Sequence, residues 1–219
     1  MRTEREIRAV LFDLDNTLVR FIDAQRAACA AVIDLAGTGS VEDLFEFFLR
    51  PKHNFESHAH ILDYLSTIAS SCDPAMACAR YEEVKLAALE PYEGARSTLE
   101  RLTWAGVPMA VITDADATHA ASRIAHSGLD HLFEVVVTPE STGERKPSER
   151  NFWFALDHLG VDPSEAAMVG DSLRRDIEPA NNLGILSVHA AYGDWNPGYD
   201  CFPDHRLDEI SRLVGILLD

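Results

Sequence analysis

Five short apolar runs recur along the chain, at Val10–Phe12, Met109–Ile112, Val135–Thr138, Ala167–Val169 and Ile185–Val188, each bounded by turn-forming residues. Stretches of helical periodicity separate the later runs, around Ser97–Thr103, Ala117–Ser127, Glu149–Leu159 and Arg174–Asn182. A continuous apolar strand such as Val10–Phe12 is one buried on both faces. Strands alternating with helices of this length predict an α/β fold, a doubly wound parallel sheet covered on both sides. Gly106, Gly128, Gly160 and Gly184 each follow a helical stretch, as helix-ending glycines do.

One region breaks the alternation. From Val19 to Leu89 the text is helical only, with amphipathic segments at Phe21–Leu35, Val41–Leu49, His58–Ser70 and Ala75–Leu89. An all-helical insertion placed directly after the first strand is expected to hang over that strand's carboxyl end as a lid. Pro91-Tyr92-Glu93-Gly94 marks the return. The expected division is therefore an α/β core from 1–18 and 90–219, with a helical cap over 19–89.

Composition narrows the class. A chain of 219 residues, 47% hydrophobic and 25% charged, is an ordinary globule of one core plus a small accessory domain. The net charge of −17 argues against nucleic acid or an anionic membrane as partner, since both need a basic footprint. The charged start, Met1 to Glu6, leads straight into the first strand and leaves no room for a signal peptide. No apolar run approaches a membrane span. Cys29, Cys72, Cys78 and Cys201 lack the close pairs of a zinc site and are too few for a disulfide framework, so free, mostly buried thiols in a reducing cytoplasm are expected.

Chemistry enters at the strand ends. Asp13 and Asp15 follow the first run, Thr113-Asp114 the second, and Gly170-Asp171-Ser172 the fourth, with Asp176 five residues beyond Asp171; Lys146-Pro147 precedes the helix near Ser148. A parallel sheet brings all of these to one edge. Two carboxylates as close as Asp13 and Asp15 call for a cation or an unusual proton affinity. Such a set suits phosphoryl transfer through a covalent aspartyl phosphate. Mg²⁺ bound by carboxylates would offset the repulsion between phosphate and aspartate. Lys146 adds positive charge, the Thr113 hydroxyl adds a hydrogen bond to phosphate, and Asp15 is placed to give and take a proton.

These motifs together resemble the haloacid dehalogenase superfamily, in the phosphoglycolate phosphatase-like branch that carries a helical cap after its first motif. Asp13-Leu14-Asp15-Asn16-Thr17 is similar to the first motif, Thr113 to the second, Lys146-Pro147 to the third, and Gly170-Asp171 with Asp176 to the fourth. The resemblance spans nearly the whole chain. It implies that Asp13 is the nucleophile and a Mg²⁺ ligand, that Asp15 is the general acid/base and lends its backbone carbonyl to the metal, and that Asp171 completes the ligands. It makes Asp176 a supporting residue behind the metal, and Thr113 and Lys146 the phosphate holders. Dehalogenases of the family lack the second aspartate, so Asp15 favours a phosphatase. The second motif usually continues with asparagine; here Asp114 stands there and is expected to turn away from phosphate or to cap the next helix.

The implied activity is Mg²⁺-dependent hydrolysis of a small soluble phosphomonoester by a cytoplasmic monomer or homodimer. A phosphomutase of the same superfamily and a receiver-like phospho-accepting module are the alternatives. His53, His58 and His60 have no helical ligand spacing and are expected as solvated cap residues. Arg20, Arg50 and Lys52 are candidates to reach a second anionic group of the substrate. Trp195 is expected in packing or at a rim.

Overall fold

The computed structural model describes residues 6–196 and 198–218. Residues 1–5, which hold most of the charged start read above, lie outside that set. In chain order, β1 (Ala9–Phe12) is followed by α1 (Phe21–Ala36), α2 (Val41–Leu49), α3 (Ala59–Thr67) and α4 (Pro74–Ala87). Then come α5 (Ala95–Trp104), β2 (Met109–Ile112), α6 (Ala117–His126), β3 (Val135–Val137), α7 (Pro139–Thr142), α8 (Glu149–Leu159) and β4 (Ala166–Gly170). A π-helical turn at Leu173–Ile177 leads into α9 (Glu178–Leu183), β5 (Leu186–Ala190), β6 (His205–Leu207) and α10 (Leu213–Leu217).

The chain divides into two compact units, Phe21–Glu90 and the remainder. In the larger unit, six parallel strands lie in the order β3-β2-β1-β4-β5-β6. The chain builds outward from β1 through β2 to β3, then returns to the other side of β1 with β4. That reversal makes a crevice outside the carboxyl ends of β1 and β4, where open α/β sheets bind ligands. Leu11, Ile112, Val137 and Met168 pack with Phe152 and Leu156 of α8 in a fully buried layer. β6 has no apolar run because it is an edge strand: His205 and Arg206 are exposed and only Leu207 is buried.

The helix expected over Arg174–Asn182 is instead two pieces. Pro179 lacks the N–H that would bond the Arg175 carbonyl, and the Glu178 N–H bonds the Leu173 carbonyl in a wider turn.

The smaller unit is the four helices α1–α4, with a core of Cys29, Val32, Leu44, Phe48, Ile61, Tyr64 and Tyr81. Phe48 and Tyr81 stack with centroids 5.1 Å apart. α3 ends at Thr67, just before Ala69 takes a left-handed φ of 49°. His60 is buried in this core, contrary to its expected solvation, because its ring packs on Phe48 and its Nε2 bonds the Asn54 carbonyl at 3.0 Å. Of the cysteines only Cys29 is buried; Cys72 and Cys78 pack at the edge of the smaller unit's core and, like Cys201, are half-exposed. No helix among the described residues is long and apolar enough to cross a membrane.

Candidate active site

Asp13 extends β1, its N–H donating to the Val169 carbonyl of β4 at 2.9 Å. The chain then turns sharply at Asn16, which takes a left-handed φ of 62°, a conformation asparagine tolerates better than most residues. The turn brings Thr17 back under Asp13. The Thr17 hydroxyl donates to Asp13 Oδ2 at 3.2 Å and accepts the Asp171 N–H at 3.0 Å, tying the first strand end to the fourth. The Tyr192 hydroxyl in turn donates to the Thr17 carbonyl at 2.8 Å.

Lys146 closes the cluster. Its Nζ lies 2.5 Å from Asp13 Oδ1 and 2.7 Å from Asp176 Oδ1, with the lysine side chain 1% exposed. Asp176 Oδ2 accepts the Ser172 N–H at 3.0 Å. Gly170 makes this possible, since a Cβ there would overlap the Asp176 carboxyl group. Asp13, Asp171 and Asp176 are all buried, with ligand oxygens within 4.8 Å of one another.

Burial shapes the proton affinities. It pushes the Asp176 carboxyl up to about 6 against the opposing pull of Lys146. Burial, then the charges of Asp13 and Asp176, hold Asp171 well above the usual carboxylate range. Burial alone would lower Lys146, but Asp13 and Asp176 outweigh it and keep the ammonium charged. Three carboxylates face the Lys146 ammonium, with the Arg175 guanidinium, itself paired with Asp114, as a further positive charge, which leaves the site short of positive charge. Asp171 Oδ1 is buried with no hydrogen-bond partner, a cost that a bound cation removes. An all-oxygen donor set of this kind fits a hard divalent ion. Both oxygens of Asp176 already hold Lys146 and Ser172, and both of Asp13 hold Lys146 and Thr17, so Asp171 Oδ1 offers the freest ligand position.

Thr113 is buried at the end of β2, on the same sheet edge, where its Oγ1 accepts the Ala115 N–H at 3.1 Å. Asp114 does not cap α6; Asp116 does, accepting the His119 N–H at 2.9 Å. Asp114 instead spans the loops, accepting the Lys146 N–H at 2.8 Å and facing Arg175 Nη1 at 3.4 Å. The Asp15 side chain stands outside the three-carboxylate cluster and is ion-paired with Arg123 of α6. Sequence reasoning missed Arg123 and Arg175. The trace left by Arg123 is its place beside Ala120 and Ile124 on the buried face of α6, where an arginine needs a partner.

The cations first considered for a distal anion are engaged within their own units. Lys52 pairs with Asp63 at 2.5 Å, Arg50 lies 3.5 Å from the Phe47 ring centroid, and Arg20 stands 5.4 Å from that of Tyr92. Trp195 is 38% exposed.

Residues 7–184 match the haloacid dehalogenase-like hydrolases. The chain is 32% identical to the glyceraldehyde 3-phosphate phosphatase of Methanopyrus kandleri, over 96% of its own length and 97% of that protein. It is likewise 32% identical to the ribulose-1,5-bisphosphate 5-phosphatase of Halopiger xanaduensis, over 95% of its length and 98% of that protein. The structure of the magnesium-bound HAD-hydrolase YfnB from Bacillus subtilis superposes with a TM-score of 0.79 at 18% identity, covering 98% of this chain and 100% of that one.

Proposed function

We propose that this chain, which belongs to the haloacid dehalogenase-like hydrolases, is a Mg²⁺-dependent phosphatase that hydrolyses a small soluble phosphomonoester through an aspartyl phosphate. The observation that carries it is the buried trio Asp13, Asp171 and Asp176 gathered around Lys146 at the sheet's switch point. Two full-length relatives named for phosphatases of small sugar phosphates support the substrate class.

Asp13 attacks phosphorus while the ester P–O bond breaks, and Asp15 gives its proton to the departing alkoxide. Water then attacks the phosphoryl group on Asp13, Asp15 takes its proton, and inorganic phosphate leaves with Asp13 restored. Lys146 and Thr113 hold the non-bridging oxygens. Asp13, Asp171 and the Asp15 carbonyl would hold the ion, with Asp176 steadying Lys146 behind them. When bound, Mg²⁺ supplies the positive charge that lets an anionic ester approach an anionic nucleophile. Residues 1–18 and 90–219 make the catalytic core, 19–89 the cap that selects substrate, and the enzyme works in the cytoplasm as a monomer or homodimer.

The experiment is phosphate release from 4-nitrophenyl phosphate by the wild type, with and without EDTA, beside Asp13→Asn. Activity abolished by either change is expected. Equal activity in all three would overturn the mechanism.

A further inference from the structure

Arg123 is the only buried arginine among the described residues, its side chain 4% exposed, and its Nη1 donates to Asp15 Oδ2. Helical side chains lean toward the amino terminus of their helix. α6 starts just after the Thr113 loop, so an arginine two turns along the helix reaches back to the sheet edge that carries the carboxylates. Burying a guanidinium is costly unless it is paired, and a charge-assisted bond to a carboxylate is among the stronger ways of fixing both groups. Asp15 is two residues from Asp13. Without a fixed partner its carboxylate would be drawn toward any cation held by Asp13, Asp171 and Asp176.

We infer that Arg123 is a positioning residue for the reaction: bonded to Oδ2 of Asp15, it fixes the carboxyl group, with the transferable proton on the other oxygen, beside the leaving oxygen and keeps it out of the three-aspartate cluster. This rests on the hydrolase function proposed above. It predicts a defect that tracks the proton demand of the leaving group. Phenolate needs a proton to depart more than 4-nitrophenolate does.

The test compares kcat/KM for phenyl phosphate and 4-nitrophenyl phosphate in wild type, Arg123→Gln and Arg123→Lys, with thermal melting as the check on folding. The expected result for Arg123→Gln is a loss of about tenfold or more on phenyl phosphate and within about threefold on the nitrophenyl ester, carried by kcat rather than KM. Arg123→Lys keeps the charge with a single donor point, so it shows the same ester-selective loss at smaller size. It carries the comparison alone if the glutamine protein does not fold. Equal losses on the two esters, or no loss, overturn the inference and assign Arg123 to the fold. A wild type without EDTA-sensitive phosphate release would instead sink the hydrolase function, so the two failures are separable.

Discussion

The ammonium of Lys146 sits 2.5 Å from the carboxylate of Asp13, with both side chains almost wholly removed from solvent. Lys146 is thus the counter-charge on which a buried acidic site depends in the absence of a divalent ion. Replacing it with methionine strands three carboxylates. Lys146→Met is expected to lower kcat/KM at least about a hundredfold, as loss of a charge stabiliser does. The same change is expected to cost about 3–5 kcal/mol of stability, as breaking a buried ion pair does. Urea unfolding and phosphate release measure the two effects. A variant as stable and active as the wild type would disconnect Lys146 from the site.

A metal ion bound at this cluster would compete with protons for the same carboxylates. Asp176 titrates at about 6 in the folded chain against an ordinary 3.8, and Asp171 is raised as well. The folded state therefore holds more protons than the unfolded one across this window. Stability contributed by Asp176 is fully present below the ordinary carboxylate pKa and is lost as pH rises through about 6; that from Asp171 has the same sign. Added Mg²⁺ should then raise the melting temperature more at about pH 7.5 than at about pH 5, where Asp176 and Asp171 already hold protons. Equal increments at both pH values would show that the ion does not bind there.

Asp114 is a structural tie between two loops, whatever residue its relatives carry. Asp114→Asn keeps the acceptor for the Lys146 N–H and weakens only the 3.4 Å contact with Arg175. Activity within about threefold of wild type is expected, since exposed or loose ion pairs contribute little. Asp114→Ala removes both interactions, and its melting curve should show a cost of about 1–3 kcal/mol for the N–H left behind. A stronger effect from asparagine than from alanine would contradict this order.

Gly170 is a contact requirement. An alanine there drives its Cβ into the Asp176 carboxyl group. Gly170→Ala is expected to cost about 1–3 kcal/mol and to reduce the stabilisation gained from Mg²⁺. Calorimetry with and without the ion tests it. An unchanged metal increment would mean that Asp176 has no bearing on the ion's site.

The fold class was legible because β1, β2 and β4 are buried on every residue, so their apolar runs stand out between turn residues. β6 and α10 were not. One is an edge strand with a single buried residue, the other a five-residue helix too short to show a period. Asp13 and Asp171 could be grouped from text alone because each follows a strand end on one edge of a parallel sheet, and Lys146 and Asp176 because each lies in the segment beyond such an end. The partners of Asp15 and Asp114 could not. Their arginine partners come from α6 and the π-turn, and the side chain that a helix turns toward a neighbouring loop depends on its rotation against the sheet.

β1 pairs with two strands encoded roughly a hundred and a hundred and fifty residues after it. Throughout that interval its apolar faces and both rows of backbone groups must wait for partners. A chain that ends before β4 would therefore leave one edge of Ala9–Phe12 unpaired and would lack Asp171 and Asp176 of the carboxylate cluster.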